Sequence, residues 1–145
     1  MIIVLTIGFL IIDIISKIIV SNLMNVNDSI LVIKDFFYIT YVRNTGAAFS
    51  VFSNNTWLVI LISLVIIFFL ILYLYKNKPK SRLEIVGYSM ILGGAFGNFI
   101  DRIVYGYVID FFDFYIFNYD YPIFNLADSF IFIGVIFLII CAWRR

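Results

Sequence analysis

Four long runs of apolar residues divide the chain, and polar residues collect in the segments between them. The runs cover about residues 2–20, 57–75, 84–101 and 128–143. A bilayer's hydrocarbon core of about 30 Å needs roughly 20 helical residues, so each run is long enough to cross it or nearly cross it. We therefore predict four transmembrane helices. The uncharged cores of the third and fourth runs have only about 16 residues, or about 24 Å, so we expect their polar ends at or just inside the membrane surface.

The composition agrees with a membrane protein. Of 145 residues, 64% are hydrophobic and 13% are charged, whereas a soluble domain carries about 25% charge. The first run lacks a basic leader and a small-residue cleavage site, so a removable signal peptide is not expected. No repeat or linker divides the chain. We expect one domain, 1–145, of the all-α polytopic membrane class.

The basic residues predict how the helices are oriented. Six of the ten flank the ends of the second, third and fourth runs: Lys76, Lys78, Lys80, Arg82, Arg144 and Arg145. Basic residues are retained on the cytoplasmic side, so we interpret this cluster as a topology signal and not as a binding site. Both termini should then be cytoplasmic, while segments 21–56 and 101–128 face outward.

The two outward segments differ in character. The first contains IKDFFYITYVRN, rich in β-branched and aromatic residues, followed by the turn-prone NTG; this predicts a small β-rich strand or hairpin at the membrane surface. The second is dense in tyrosine and phenylalanine, which favour the bilayer interface. We expect an interfacial loop there, with Asp113 as a solvated acid.

Several kinds of chemistry are excluded by what the chain lacks. It has no histidine, so Ser-His-Asp and Cys-His nucleophiles and H-E-x-x-H zinc sites are ruled out. The single cysteine, Cys141, cannot form an intrachain disulfide and lies in an apolar run. A net charge of +1 gives no reason to expect nucleic acid as a partner. We expect neither a metal nor a cofactor.

Charges inside the first run need an explanation, since an ionisable group within a membrane span is costly unless it is paired. Asp13 and Lys17 are four residues apart, which places them on one helix face in the favourable order for an ion pair. The pair is either purely structural or part of a substrate-binding site.

The third run combines small residues with a polar outer end. Gly93 and Gly97 have the GxxxG spacing that lets a second helix approach closely. Asn98, Asp101 and Arg102 follow on its outer end. Asp101 and Arg102 form either a salt bridge or ligand contacts, whereas the amide of Asn98 needs partners within the span.

Two further carboxylates suggest acid-base chemistry. Asn125 and Asp128 have the N-x-x-D spacing of a helix capping box. Asp110, in VIDFF, has apolar neighbours and no basic residue near it in sequence, and burial should raise its pKa. If Asp110 and Asp128 converge, one keeps a proton while the other stays charged, and such a pair can activate water for attack on an amide.

The chain resembles the lipoprotein signal peptidase family, also called signal peptidase II. Four blocks carry the resemblance, in the family's order and across essentially the whole chain: DIISK (13–17), YVRNTGAAFS (41–50), GGAFGNFIDRIVYGYVIDF (93–111) and FNLADS (124–129). The third and fourth blocks are highly specific. The insert FYIFNYDYP between the two carboxylate blocks looks variable.

The resemblance implies an aspartic endopeptidase of the bacterial inner membrane. It would remove the signal peptide of a prolipoprotein just before the diacylglyceryl-modified cysteine, with Asp110 and Asp128 as the catalytic pair. The substrate and inhibitor pocket would include Asp13, Asn44, Gly46, Asn98, Asp101, Arg102 and Asn125. Implied partners are the lipidated precursor, membrane lipids and globomycin-type inhibitors, and we expect a monomer.

Two other functions remain open at this point. One is a small ion- or proton-coupled transporter, but the second run carries no charge and the polar groups of the third and fourth gather at one end. The other is a non-catalytic protein that binds lipoprotein precursors in the same pocket. Cleavage of a lipidated precursor distinguishes all three.

Overall fold

Four long helices form the body of the protein. The computed structural model describes residues 1–46, 55–117 and 119–144. Within these residues the helices are α1 (Ile2–Leu23), α2 (Thr56–Lys76), α3 (Arg82–Tyr105) and α4 (Leu126–Trp143). All four are long and apolar enough to cross a membrane, and many of their large apolar side chains are exposed, as lipid contact requires. The prediction of four apolar helices is confirmed.

Helix α3 is the centre of the bundle, because α1, α2 and α4 all pack against it. Glycines make the close packing possible. A Cβ atom on Gly93 would lie 2.7 Å from the Cβ of Phe9 on α1, and one on Gly94 would collide with the Ala127 carbonyl oxygen on α4. The GxxxG glycine Gly97 lies directly against the Asp13 carboxylate. Small residues therefore bring α1 and α4 onto two sides of α3.

The third helix is longer than the apolar pattern suggested. It has 24 residues, about 36 Å, because it begins at a Ser81 cap and runs past the polar cluster. The Ser81 hydroxyl accepts from the Glu84 N–H at 3.1 Å, and the helix ends at Gly106, whose φ of 79° is left-handed. Its polar residues thus lie inside the last turns of the helix and not beyond its end.

A small antiparallel sheet lies at one end of the bundle. Its strands are β1 (Ser29–Ile33), β2 (Phe37–Asn44), β3 (Val108–Ile116) and β4 (Tyr119–Asp120), in the order β1-β2-β3-β4. The β1–β2 hairpin is the β-rich segment that the sequence predicted. The second outward segment, predicted as an interfacial loop, instead contributes β3 and β4. The architecture is therefore four apolar helices plus a four-stranded sheet, a correction to the all-α class.

The register of β2 and β3 decides which side chains share a face. Val42 pairs with Asp110, and Asn44 pairs with Val108. Because side chains alternate along a strand, Asn44 and Asp110 lie on one face of this ribbon, while Arg43 and its partner Ile109 lie on the other.

Asp113 is not the solvated acid that we expected. Its side chain is buried and accepts a hydrogen bond from the Thr40 hydroxyl, which also contacts the Ser29 hydroxyl at 2.8 Å. The acid therefore belongs to a hydroxyl network that links β1, β2 and β3.

Candidate active site

A buried lysine forms ion pairs with carboxylates of both α1 and α3. The Lys17 ammonium lies 2.7 Å from the Asp13 carboxylate and 2.9 Å from that of Asp101, and only 2% of its side chain is exposed. The predicted Asp13–Lys17 pair is thus present, with Asp101 as a second partner. The other Asp13 oxygen accepts from the Ala127 N–H at 2.9 Å, so this cluster also holds the start of α4.

Lys17 also sets the orientation of the Asn98 amide. Its ammonium donates to Asn98 Oδ1 at 3.0 Å, and an ammonium can only donate. The amide nitrogen of Asn98 therefore points the other way, where it donates to Asp128 Oδ1 at 2.7 Å.

A second asparagine completes the network. Asn125 Nδ2 donates to Asp110 Oδ1 at 2.7 Å and to Asn98 Oδ1 at 3.1 Å. Asn125 thus contacts Asp110, Asn98 contacts Asp128, and the two asparagines are bonded to each other. The chain of contacts runs from Asp110 through Asn125 and Asn98 to Asp128.

The capping box predicted at α4 is present and is compatible with this network. Asn125 Oδ1 accepts from the Asp128 N–H at 3.0 Å, and Asp128 Oδ2 accepts from the Asn125 N–H at 3.3 Å. The cap uses the oxygen of Asn125, which leaves its amide nitrogen to donate to Asp110.

The environment of Asp110 favours its protonated form. Only 2% of the residue is exposed, and burial, followed by the negative charge of Asp128, raises its pKa from 3.8 to about 7. Hydrogen bonds from Asn44, at 2.9 Å to Oδ2, and from Asn125 oppose this rise. The charge of Lys17 also lowers the pKa, an effect that the sequence could not show because Lys17 is far from Asp110 along the chain.

Both carboxylates line one cavity of about 680 Å³ between β3 and α4. Its charged and amide side chains are those of Asn44, Asn98, Arg102, Asp110 and Asp128. The remaining wall is largely apolar and includes Phe114, Ile116, Phe124, Ile131 and Val135. This arrangement suits a ligand that has a polar centre and a long apolar part.

Arg102 fixes the edge of the cavity. Its guanidinium donates to the carbonyl oxygens of Asn98, at 3.2 Å, and Gly46, at 2.6 Å, and Asn44 Oδ1 accepts from the Gly46 N–H at 2.9 Å. No ion pair joins Arg102 to Asp101 in the described residues, so the salt-bridge interpretation is wrong. The rest of the glycine-alanine turn, 47–50, lies outside the described residues.

The ten predicted site residues therefore separate into two layers. Asn44, Asn98, Arg102, Asp110 and Asp128 line the cavity, whereas Asp13, Lys17 and Asp101 lie behind them as a charge cluster. Asn125 and Gly46 join to the cavity residues by hydrogen bonds. Sequence reasoning missed the aromatic wall, where Phe114 and Phe124 stack with ring centroids 5.8 Å apart. A phenylalanine-rich segment gives no sign of which rings face a cavity.

Carboxylates and amides buried at one end of a bundle of four apolar helices define a polytopic membrane protein with a polar site in a largely apolar cavity. The family model described as signal peptidase (SPase) II matches residues 5–144, and the chain belongs to this family. It is accordingly a protease, and a multi-pass protein of the bacterial inner membrane.

Individual relatives agree with this assignment. The chain is 44% identical to the lipoprotein signal peptidase of Halothermothrix orenii over 129 residues, 89% of this chain and 86% of the relative. It is 44% identical to that of Staphylococcus haemolyticus over 137 residues, 94% of this chain and 87% of the relative.

Two solved structures share the fold. Both are described as bacterial membrane enzymes determined by the in meso method. The one at 2.3 Å resolution has a TM-score of 0.89 and 38% identity, and covers 99% of this chain and 87% of its own. The one at 1.9 Å resolution has a TM-score of 0.86 and 39% identity, and covers 97% of this chain and 91% of its own.

Proposed function

We propose that the protein is an aspartic endopeptidase that cleaves the signal peptide from diacylglyceryl-modified prolipoproteins just before the lipidated cysteine. Asp110 and Asp128 are the catalytic pair. The observation that carries the proposal is that both carboxylates line one cavity and are joined through two hydrogen-bonded asparagines. The names of the family and its relatives support the substrate class.

The pair works with one proton between its two carboxyl groups. With the pKa of Asp110 raised to about 7, one carboxyl stays protonated near neutral pH while the other is ionised. The ionised group takes a proton from water, which attacks the scissile carbonyl, and the protonated group polarises that carbonyl and then protonates the leaving amine. The pair titrates as a unit, so the two roles belong to the dyad.

The other cavity residues bind and position. The Arg102 guanidinium and the Asn44 amide hold the Gly46 backbone at the rim, beside the place where the extended precursor enters. The apolar wall formed by β3 and α4 accepts the lipid and apolar side chains. Globomycin-type inhibitors would occupy the same space between the carboxylates.

The active site faces the outer side of the membrane in this proposal, and both termini are cytoplasmic. Support comes from the basic loop between α2 and α3, where Lys76, Lys78 and Lys80 are exposed at the ends opposite the sheet. A lipid-anchored cysteine can then present its neighbouring peptide bond to the dyad while its acyl chains stay in the bilayer. One chain supplies the whole dyad network, as expected for a monomer.

Cleavage of a purified lipidated precursor in detergent tests the proposal. The parent protein should shift the precursor's gel mobility, while Asp110→Asn and Asp128→Asn should reduce the rate by at least about 10³-fold, since each removes one half of the proton-sharing pair. Asp120→Asn is the matched control, because it makes the same change at an exposed position of the same sheet, and it should cleave normally.

Cleavage that survives in both dyad variants would rule out the aspartic mechanism. A parent that binds the precursor without cleaving it would favour the binding-protein alternative, and a parent that does neither would favour transport.

A further inference from the structure

A second pocket lies on the other face of the β2–β3 ribbon. It has a volume of about 310 Å³, and its polar lining is Ser21, Asn25, Tyr41, Arg43, Tyr105 and Tyr107. The register that pairs Arg43 with Ile109 turns the side chains of these two residues away from the Asp110 face. The pocket is therefore separate from the dyad cavity, with which it shares no lining residue.

An exposed arginine dominates this pocket. Its guanidinium carbon lies 4.7 Å from the centre of the Tyr107 ring and 5.9 Å from that of Tyr41, and Nε donates to the Tyr41 hydroxyl at 3.3 Å. The described residues include every aspartate and glutamate of the chain, and among them Arg43 forms no ion pair. The two rings thus hold the guanidinium in place, and no aspartate or glutamate neutralises it.

The pocket also lies at a particular depth. Ser21 and Met24 stand at the end of α1, and Tyr105 is the last residue of α3. These helices have 22 and 24 residues, about 33 and 36 Å, against a hydrocarbon core of about 30 Å. Their shared end therefore reaches the level of the lipid headgroups, where tyrosine is enriched.

We propose that this pocket binds the phosphodiester headgroup of a membrane phospholipid. A guanidinium presents a planar fork that matches phosphate oxygens, and it is less strongly hydrated than an ammonium. The Tyr105 and Tyr107 hydroxyls supply further donors, while Met24 and Val26 provide an apolar side for the start of the acyl chains. Asp28 contacts Asn25 at the rim but does not line the pocket.

The site has a consequence for the dyad. A headgroup held by Arg43 would attach the β2–β3 ribbon to the bilayer surface on the side opposite Asn44 and Asp110. The distance between the dyad and the acyl chains would then be set by the position of the lipid headgroups. The proposal itself depends only on the pocket and its depth, and it stands whether or not Asp110 is catalytic.

The test measures lipid bound to the purified full-length protein in a neutral detergent by native mass spectrometry. Phosphatidylglycerol is compared with diacylglycerol of the same acyl chains, and inorganic phosphate is added as a competitor. The parent should retain phosphatidylglycerol at least about 10-fold more tightly than diacylglycerol, about 1.4 kcal/mol. Arg43→Gln should abolish this preference, Arg43→Lys should keep part of it, and the exposed Arg82→Gln should keep all of it.

Three results would overturn the proposal: equal retention of the two lipids, an unchanged preference in Arg43→Gln, or displacement of the lipid by millimolar inorganic phosphate, which would make the site a free-phosphate site. If Arg43→Gln does not fold, Tyr105→Phe serves instead. It removes one exposed hydroxyl, and a loss of about 2–5-fold in phosphatidylglycerol retention is expected. An unchanged preference in that variant would count against the pocket.

Discussion

Asn125 carries two roles with different atoms of one amide group. Its oxygen caps α4, while its nitrogen donates to Asp110 and Asn98. The first role was readable from the N-x-x-D spacing. The second was not, because it depends on Asp110 and Asn98 arriving from β3 and α3.

Two substitutions at Asn125 separate these roles. Asn125→Ser keeps a capping oxygen and loses the amide donor, whereas Asn125→Ala loses both. Because the donor orients Asp110, we expect both variants to lose cleavage by at least about 10²-fold, and to a similar extent. Because serine caps a helix nearly as well as asparagine, Asn125→Ala should be the less stable by about 1 kcal/mol.

Cleavage rate and thermal unfolding in detergent check this prediction. Near-parent activity in Asn125→Ser would show that the amide donor is dispensable. Equal stability of the two variants would show that the cap contributes little.

Asp110 should make stability depend on pH. Its pKa rises from 3.8 to about 7 on folding, through burial first and the charge of Asp128 second, so the folded state holds a proton that the unfolded state has released. Stability from this group is complete below the unfolded pKa and is lost as pH rises through about 7. The melting temperature of the parent should therefore fall between about pH 5 and about pH 8.

Asp110→Asn supplies the comparison, since an amide cannot titrate. Its melting temperature should fall less over the same range, and at the upper pH the variant should be the more stable by up to a few kcal/mol. Asp120→Asn should follow the parent. Parallel curves for the parent and Asp110→Asn would contradict the raised pKa.

At the level of elements, the apolar runs predicted where helices occur better than where they end. Helix α3 extends past Asp101 and Arg102 because Lys17 neutralises the first and the carbonyl oxygens of Asn98 and Gly46 accept from the second. Strand β3 was missed for a related reason. Its pairing with β2 joins residues more than sixty positions apart, and no local pattern in an aromatic-rich segment reveals that.

Packing of α3 against α4 can be tested at one glycine. A Cβ on Gly94 would collide with the Ala127 carbonyl oxygen, at the turn of α4 that carries Asp128. Gly94→Ala should therefore destabilise the protein by about 1–3 kcal/mol and lower cleavage. Gly8→Ala in α1 is the matched control, because nothing lies within 4 Å of its added Cβ, and it should be neutral or slightly stabilising.

Thermal unfolding and cleavage rate report the two effects. Equal behaviour of Gly94→Ala and Gly8→Ala would mean that the α3–α4 contact tolerates a methyl group, and that the glycine is not what brings these helices together.

Across the whole molecule, the candidate site draws on three of the four helices and two of the four strands of the described residues. Lys17 comes from α1, Asn44 from β2, Asn98 from α3, Asp110 from β3 and Asp128 from α4. The sequence named these residues, two of them as an acid pair and the others mainly through resemblance. The sequence could not show which of them line the cavity and which belong to the charge cluster behind it, because that depends on how α1 and α4 pack on α3.

The orientation of the molecule in the membrane can be tested by labelling. Since the sheet follows α3, whose other end meets the basic loop, the dyad lies outside only if that loop lies inside. Starting from Cys141→Ser, which removes the single cysteine, two exposed lysines can each be replaced: Lys34→Cys in the β1–β2 turn and Lys78→Cys in the basic loop. Both changes remove the same charge.

In intact cells a membrane-impermeant maleimide should label the variant at position 34 and leave that at position 78 unlabelled until the membrane is opened. The reverse pattern would place the dyad on the cytoplasmic side, where a precursor already exported to the outer leaflet could not reach it.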